Sequence, residues 1–98
     1  MPALSSSETE TRLHAVPAWR IESGELTRTF THKDFVAALA FVNKVGDLAE
    51  KAGHHPDIDI RWNLVTLRLS THSAGDITEA DLSLARRIDA MGEAPEPT

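Results

Sequence analysis

Residues 31–56, T-H-K-D-F-V-A-A-L-A-F-V-N-K-V-G-D-L-A-E-K-A-G-H-H-P, decide how the rest of the chain is read. Thr31 is a good helix cap with Asp34 three residues on. Phe35, Leu39, Val42, Val45 and Ala49 recur at helical spacing and predict one buried stripe. Gly53 tolerates a positive φ and so ends the helix. Gly46, inside it, costs about 1 kcal/mol relative to alanine.

Upstream, W-R-I-E-S-G-E-L-T-R-T-F (residues 19–30) reads as a hairpin. Trp19 and Ile21 alternate with Arg20 and Glu22, and Leu26, Arg28 and Phe30 with Thr27 and Thr29. Ser23-Gly24-Glu25 supplies the turn. Before it, S-E-T-E-T-R-L-H-A-V offers a short helix, with Ser7 and Glu10 at capping-box spacing and Pro17 as a limit. Downstream, D-I-D-I-R-W puts Ile58, Ile60 and Trp62 on one face of a strand. L-V-T-L-R-L-S-T-H puts Val65, Leu67 and Leu69 on one face and Thr66, Arg68, Ser70 and His72 on the other. A loop S-A-G-D-I follows. Thr78 then caps a last helix with Asp81 at its third position, and Leu82, Leu84, Ala85 and Ile88 form its apolar side. Gly92 ends it. The order is α-β-β-α-β-β-α. Paired strands with short turns imply an α+β domain, a four-stranded antiparallel sheet with helices packed on one face. Residues 1–5 read as a disordered start, 6–92 as the domain and 93–98 as a disordered tail.

Ninety-eight residues suit one domain with a modest core, small enough for self-association to help stability. At 41% hydrophobic and 26% charged, the composition is that of an ordinary globular protein. The net charge is −5 and there is no basic block, which argues against a nucleic-acid partner. The lack of cysteine excludes disulfides, thiolate metal sites and a cysteine nucleophile. The first residues carry no basic-then-apolar signal pattern, and no apolar run approaches the ~20 residues of a membrane span. The expected compartment is the cytoplasm.

The chemistry gathers at H-H-P. Neighbouring side chains point apart in a helix or strand, so two adjacent imidazoles serve one site only in irregular chain. Gly53 stops the helix and Pro56 biases His55 away from helical geometry, which makes a forced bend between helix and strand. Glu50 stands four residues before His54, one helical turn back, where its carboxylate could hold a ring N–H. It equally fits a solvated helix position. His72 ends the strand that pairs with the one starting after Pro56, so it returns beside His54 and His55. Asp81 is of the right type to hold His72. It also fits a plain helix cap, and the two roles are compatible. Adjacent histidines are awkward ligands for one tetrahedral ion, so no metal is expected. His14 and His32 read as surface residues.

The joint pattern, Glu50, three residues, His54-His55-Pro56, five residues, Trp62, nine residues, His72, then Asp81, resembles the pterin-4a-carbinolamine dehydratase family. The likeness spans residues 19–91 and includes W-R-I-E-S-G-E-L-T-R-T-F, F-T-H-K-D-F and L-S-T-H-x-A-G…T-E-A-D-L. Asp76 departs from it, standing where relatives often have a second glycine after Ala74-Gly75.

The resemblance implies the same sheet-and-helix fold, a homodimer or homotetramer joined partly edge to edge, and dehydration of 4a-hydroxytetrahydropterin to quinonoid dihydropterin. That reaction completes a pterin cycle served by a pterin-dependent hydroxylase. It implies His54, His55 and His72 as catalytic residues, His55 also orienting the ring. Glu50, Asp81, Trp62, Pro56, Ser70 and Thr71 would bind substrate or support the histidines. No cofactor is implied. Elimination needs only groups that titrate near neutrality, which suits histidine. Two other readings remain open. Some animal relatives stabilise the dimer of a homeodomain transcription factor, and some degenerate ones, which lose the histidines, assist assembly of a large carboxylase. A pterin of molybdenum-cofactor metabolism is the other. This sequence keeps its histidines and shows no long exposed apolar helix face.

Overall fold

Two tight turns set the register of the sheet. In a computed structural model, which describes residues 3–91, Ser23 and Gly24 both take positive φ (51° and 77°). That is the turn whose twist suits a two-residue hairpin. It joins β1 (Arg20–Glu22) to β2 (Glu25–Thr31), with Ile21 opposite Leu26, so Glu25 belongs to the strand and not to the turn as expected. Trp62 at φ 53° and Asn63 join β3 (Asp57–Arg61) to β4 (Leu64–Leu69). The antiparallel sheet runs β1-β2-β4-β3, with Phe30 opposite Val65 and Leu26 opposite Leu69 at its centre.

Alternation along these strands sends Leu26, Phe30, Val65, Leu67 and Leu69 into one core. There they meet Ala38, Phe41 and Val45 of α2 (Phe35–Ala52) and Leu82, Ala85 and Ile88 of α3 (Glu79–Asp89). With α1 (Ser6–Leu13), the order is the expected α-β-β-α-β-β-α and the class α+β. The other sheet face is polar, where Thr29 and Thr66 share a 2.9 Å hydrogen bond. Among the described residues no helix is long and apolar enough to cross a membrane. The helix stop expected at Gly92 and the tail over 93–98 lie outside the described residues.

Several local expectations are corrected. Thr31 cannot cap α2, because it pairs with Leu64 as the last residue of β2; Asp34 caps it, accepting from the Ala37 N–H at 2.8 Å. The α1 capping box is Ser5 with Glu8, two residues ahead of Ser7 with Glu10. Three serines in a row offered several frames. Leu4 selects this one: its N–H donates to Ile77 O at 3.1 Å and its side chain packs on the core, inside the start read as disordered. The buried stripe of α2 is Ala38, Phe41, Val45 and Ala49, whereas Phe35 and Leu39 are exposed (46% and 39%). α2 is apolar on more than one side, so periodicity alone does not settle its rotation. The Phe41 ring settles it, 4.6 Å from Phe30 and 4.9 Å from His32.

His32 is therefore buried, not a surface residue: its N–H donates to Asn63 O, and its ring lies against Phe41. Nε2 has no partner among the described residues. Burial pushes this imidazole below its usual 6.5. The unfolded chain then binds a proton that the folded one refuses. The stability from a neutral His32 is complete above pH 6.5 and falls as pH drops below it toward the lowered folded value. Urea titrations across this range should give a flatter stability curve for His32→Leu than for the parent; parallel curves would overturn the assignment.

Gly46 makes a second prediction. A Cβ built there meets no atom within 4 Å. Gly46→Ala is expected to raise stability by about 1 kcal/mol, read as a higher urea midpoint at unchanged slope.

Candidate active site

The bend at H-H-P is built by the end of α2. Gly53 takes φ 66°, its N–H donates to Glu50 O at 3.3 Å, and the His54 N–H reaches back to Ala49 O at 3.2 Å. This paired closure fixes where the chain leaves the helix. His54 is thus placed by backbone bonds before its ring makes any contact. Pro56 then leads into β3.

The ring of His54, 18% exposed, turns toward α3. Its Nε2 lies 2.5 Å from Oδ1 of Asp81, a fully buried carboxylate. Asp81 is the third residue of a capping box with Thr78, as expected, and Oδ2 accepts from the Thr78 N–H at 2.8 Å. Oδ2 also accepts from the Thr71 hydroxyl at 2.9 Å. Sequence reading placed Asp81 against His72, and the structure corrects this to His54. The reason is local. An isolated bridge from Thr71 to Asp76 closes a turn just past β4, and there Thr71 points inward to Asp81 while its neighbour His72 is exposed. His72 therefore lies in a turn, not on the strand.

His55 is paired separately. Its Nε2 lies 2.5 Å from Oε2 of Glu50, with both side chains largely exposed. Glu50 was expected beneath His54. Past Gly53 the helical spacing no longer applies, and the fifth residue on, not the fourth, comes over the carboxylate. The two imidazoles of H-H-P thus take different carboxylates from different helices.

The other residues expected at the site divide between the two ends of the β3–β4 hairpin. Ser70 is partly buried beside Thr71. Trp62 is not on the face of Ile58 and Ile60. It is the first residue of the β3–β4 turn, at a φ that aromatic residues rarely adopt, with 68% of its surface exposed. Among the described residues, no group of three His, Cys, Asp or Glu is arranged to hold a metal ion. A groove of about 400 Å³ lies elsewhere, lined by residues that include Leu4, Leu13, Ile21 and Ile77, and contains none of the site residues. The sequence reading missed Thr78 as more than a cap. The signal was present: an N-cap threonine three residues before an aspartate marks that carboxylate as a partner of the cap.

The site is thus a half-buried imidazole on a buried, hydrogen-bonded carboxylate, with a second imidazole–carboxylate pair next to it and a third imidazole in a nearby turn. Comparison with known proteins points the same way. The family model for pterin 4 alpha carbinolamine dehydratase matches residues 2–91. A protein of Acidobacterium capsulatum, provisionally named a pterin-4-alpha-carbinolamine dehydratase, is 53% identical over 91 residues, covering 93% of this chain and 99% of the relative. A similarly named protein of Chloroflexus aurantiacus is 54% identical, covering 93% and 98%. A crystal structure of a transcriptional coactivator/pterin dehydratase from Brucella melitensis superposes with a TM-score of 0.85 at 36% identity, covering 90% of this chain and 96% of that one. A pterin dehydratase-like RuBisCO assembly factor of the alpha-carboxysome gives 0.65 at 26%, covering 79% and 92%. With a family model matched along nearly its whole length and relatives at half identity, the chain belongs to the pterin 4 alpha carbinolamine dehydratase family.

Proposed function

We propose that this protein dehydrates a 4a-hydroxytetrahydropterin to the quinonoid dihydropterin, as a cytoplasmic enzyme of pterin recycling beside a pterin-dependent hydroxylase. The C4a–O bond breaks as the N5 lone pair forms the C4a=N5 double bond. One group delivers a proton to the departing hydroxyl, which leaves as water, and another takes the proton from N5. His54 and His72 act as this acid and base, and His55 orients the ring. Pro56 and Ser70 flank the substrate, and Thr71 acts from behind Asp81. The observation that carries this reading is the His54–Asp81 pair, a titratable ring held at 2.5 Å by a buried carboxylate. A coupled assay tests it. A hydroxylase generates the carbinolamine in situ, and its decay is followed with and without this protein. Faster decay supports the reading. No acceleration by the folded protein sinks it, and a molybdenum-cofactor-related pterin then becomes the next substrate to try.

The relatives described as a coactivator and as an assembly factor raise a second reading, partner binding. No long exposed apolar helix face was expected, and none runs along α2, but Phe35, Val36 and Leu39 form a short one on its first turns, exposed at 46%, 74% and 39%. We assign this face to a second copy of the chain, in a homodimer or homotetramer. Val36→Glu should lower the mass in solution measured by light scattering. An unchanged mass would leave this face to a different protein partner.

A further inference from the structure

The hydrogen bonds around Asp81 run in one direction. Its Oδ2 accepts from the Thr78 N–H and from the Thr71 hydroxyl, at 2.8 and 2.9 Å. A hydroxyl has one proton to give. That of Thr71 goes to Asp81, so Thr71 Oγ1 is the acceptor in its 2.7 Å contact with Thr78 Oγ1. The Thr78 hydroxyl is then the donor, and its oxygen in turn accepts from the Ala80 N–H at 3.2 Å. The order is Ala80 N–H to Thr78, Thr78 to Thr71, Thr71 to Asp81. All three side chains are buried, Thr71 at 9% exposure and the other two at 0%.

One contact of Asp81 is not settled by this count: Oδ1 to His54 Nε2, at 2.5 Å. Oδ2 accepts from two donors, the N–H of the cap residue Thr78 and the Thr71 hydroxyl, so Asp81 stands here as an acceptor. A carboxylate only accepts. The shared proton then belongs to His54 Nε2, and the lone pair of the neutral ring lies on Nδ1.

We propose that Thr71 and Thr78 are positioning residues for the reaction. Their hydroxyls form a one-way chain that holds Asp81 as an acceptor, fixes His54 as the Nε2–H tautomer and leaves Nδ1 as the nitrogen that exchanges a proton with substrate. The inference rests on the acid–base role proposed for His54. It goes beyond that role by naming the reactive nitrogen and the residues that select it. The cap of α3 thereby serves the site as well as the helix. Thr71→Val keeps the shape but removes one donor from Oδ2 and the acceptor from the Thr78 hydroxyl. The Thr78 N–H still holds Oδ2, but with one donor fewer the carboxylate is less firmly aligned on Nε2, and the Nε2–H tautomer of His54 is less strongly selected.

The test reads the tautomer directly. The full chain is labelled with ¹⁵N in its histidine rings, and long-range ¹H–¹⁵N spectra are recorded where the rings are neutral, with His54→Gln used for assignment. The parent should show His54 protonated on Nε2. Thr71→Val should show a mixture of tautomers, and Thr71→Ser should restore the parent pattern. In the dehydration assay Thr71→Val should lower kcat about tenfold with KM within about twofold, and Thr71→Ser should recover it. His54 protonated on Nδ1 in the parent, or a Thr71→Val spectrum identical to the parent's, would overturn the proposal. If Thr71→Val does not fold, the parent and Thr71→Ser spectra decide. If the parent has no dehydratase activity, the proposed reaction fails, while the spectra still decide whether the chain selects the tautomer.

Discussion

His54→Gln is expected to lower kcat/KM by about 10²–10⁴-fold, the range a positioned acid–base group contributes. Glutamine is the informative replacement. Its amide N–H can still donate to Asp81 Oδ1, so the carboxylate that His54 pairs at 2.5 Å is not left bare. Truncation to alanine would orphan that oxygen inside the core at a cost of about 1–3 kcal/mol, mixing lost stability with lost chemistry. Glutamine has no titratable group near neutrality, so the proton transfer is what disappears. A thermal midpoint near that of the parent with a collapsed rate is the expected pair of results. His72→Ala complements it. That ring is exposed and holds no partner among the described residues, so its loss should leave the midpoint unchanged while the rate falls by orders of magnitude. Parent-like rates in both variants would remove the acid–base assignment.

The features legible in the sequence were those set by local chemistry. The alternation in residues 64–69 put Val65, Leu67 and Leu69 into the core, and Thr-Glu-Ala-Asp marked the cap of α3. The bend at His54 followed from Gly53 and Pro56. What escaped was set by distant partners. α2 carries apolar residues on more than one side, and only the rings of Phe30 and His32 select the side with Phe41. The exchange of carboxylates has the same origin. Spacing along a continuous helix put Glu50 under His54, but the positive φ at Gly53 broke that spacing, so Glu50 met His55 and His54 was free to reach α3. His72 and Thr71 are neighbours facing opposite ways, and which faced Asp81 depended on where β4 stopped. The sequence pattern ran on to His72, whereas the strand ends at Leu69.

Asp81→Asn should separate the two functions of that carboxylate. The side chain closes the capping box of α3, binds Thr71 and holds His54. Alanine would strand three buried partners at once and should destabilise the protein by several times the ~1–3 kcal/mol of one unsatisfied group, though such losses are not additive. Asparagine is nearly isosteric. Its carbonyl oxygen can take the Oδ2 position and accept from Thr78 and Thr71, so the cap and most of the stability survive, at a loss of about 1 kcal/mol. Its amide nitrogen then occupies the Oδ1 position and donates to His54 Nε2. A ring nitrogen that accepts carries no proton, so the neutral ring must hold its proton on Nδ1. The ring stays in place with its two nitrogens exchanged in role, so the nitrogen proposed to exchange a proton with substrate carries the opposite protonation from the parent's. Urea titration should therefore show a small loss for Asp81→Asn and a large one for Asp81→Ala, while kcat/KM falls by at least about 10² in both. An asparagine variant with the parent's rate would mean that Asp81 serves the helix alone.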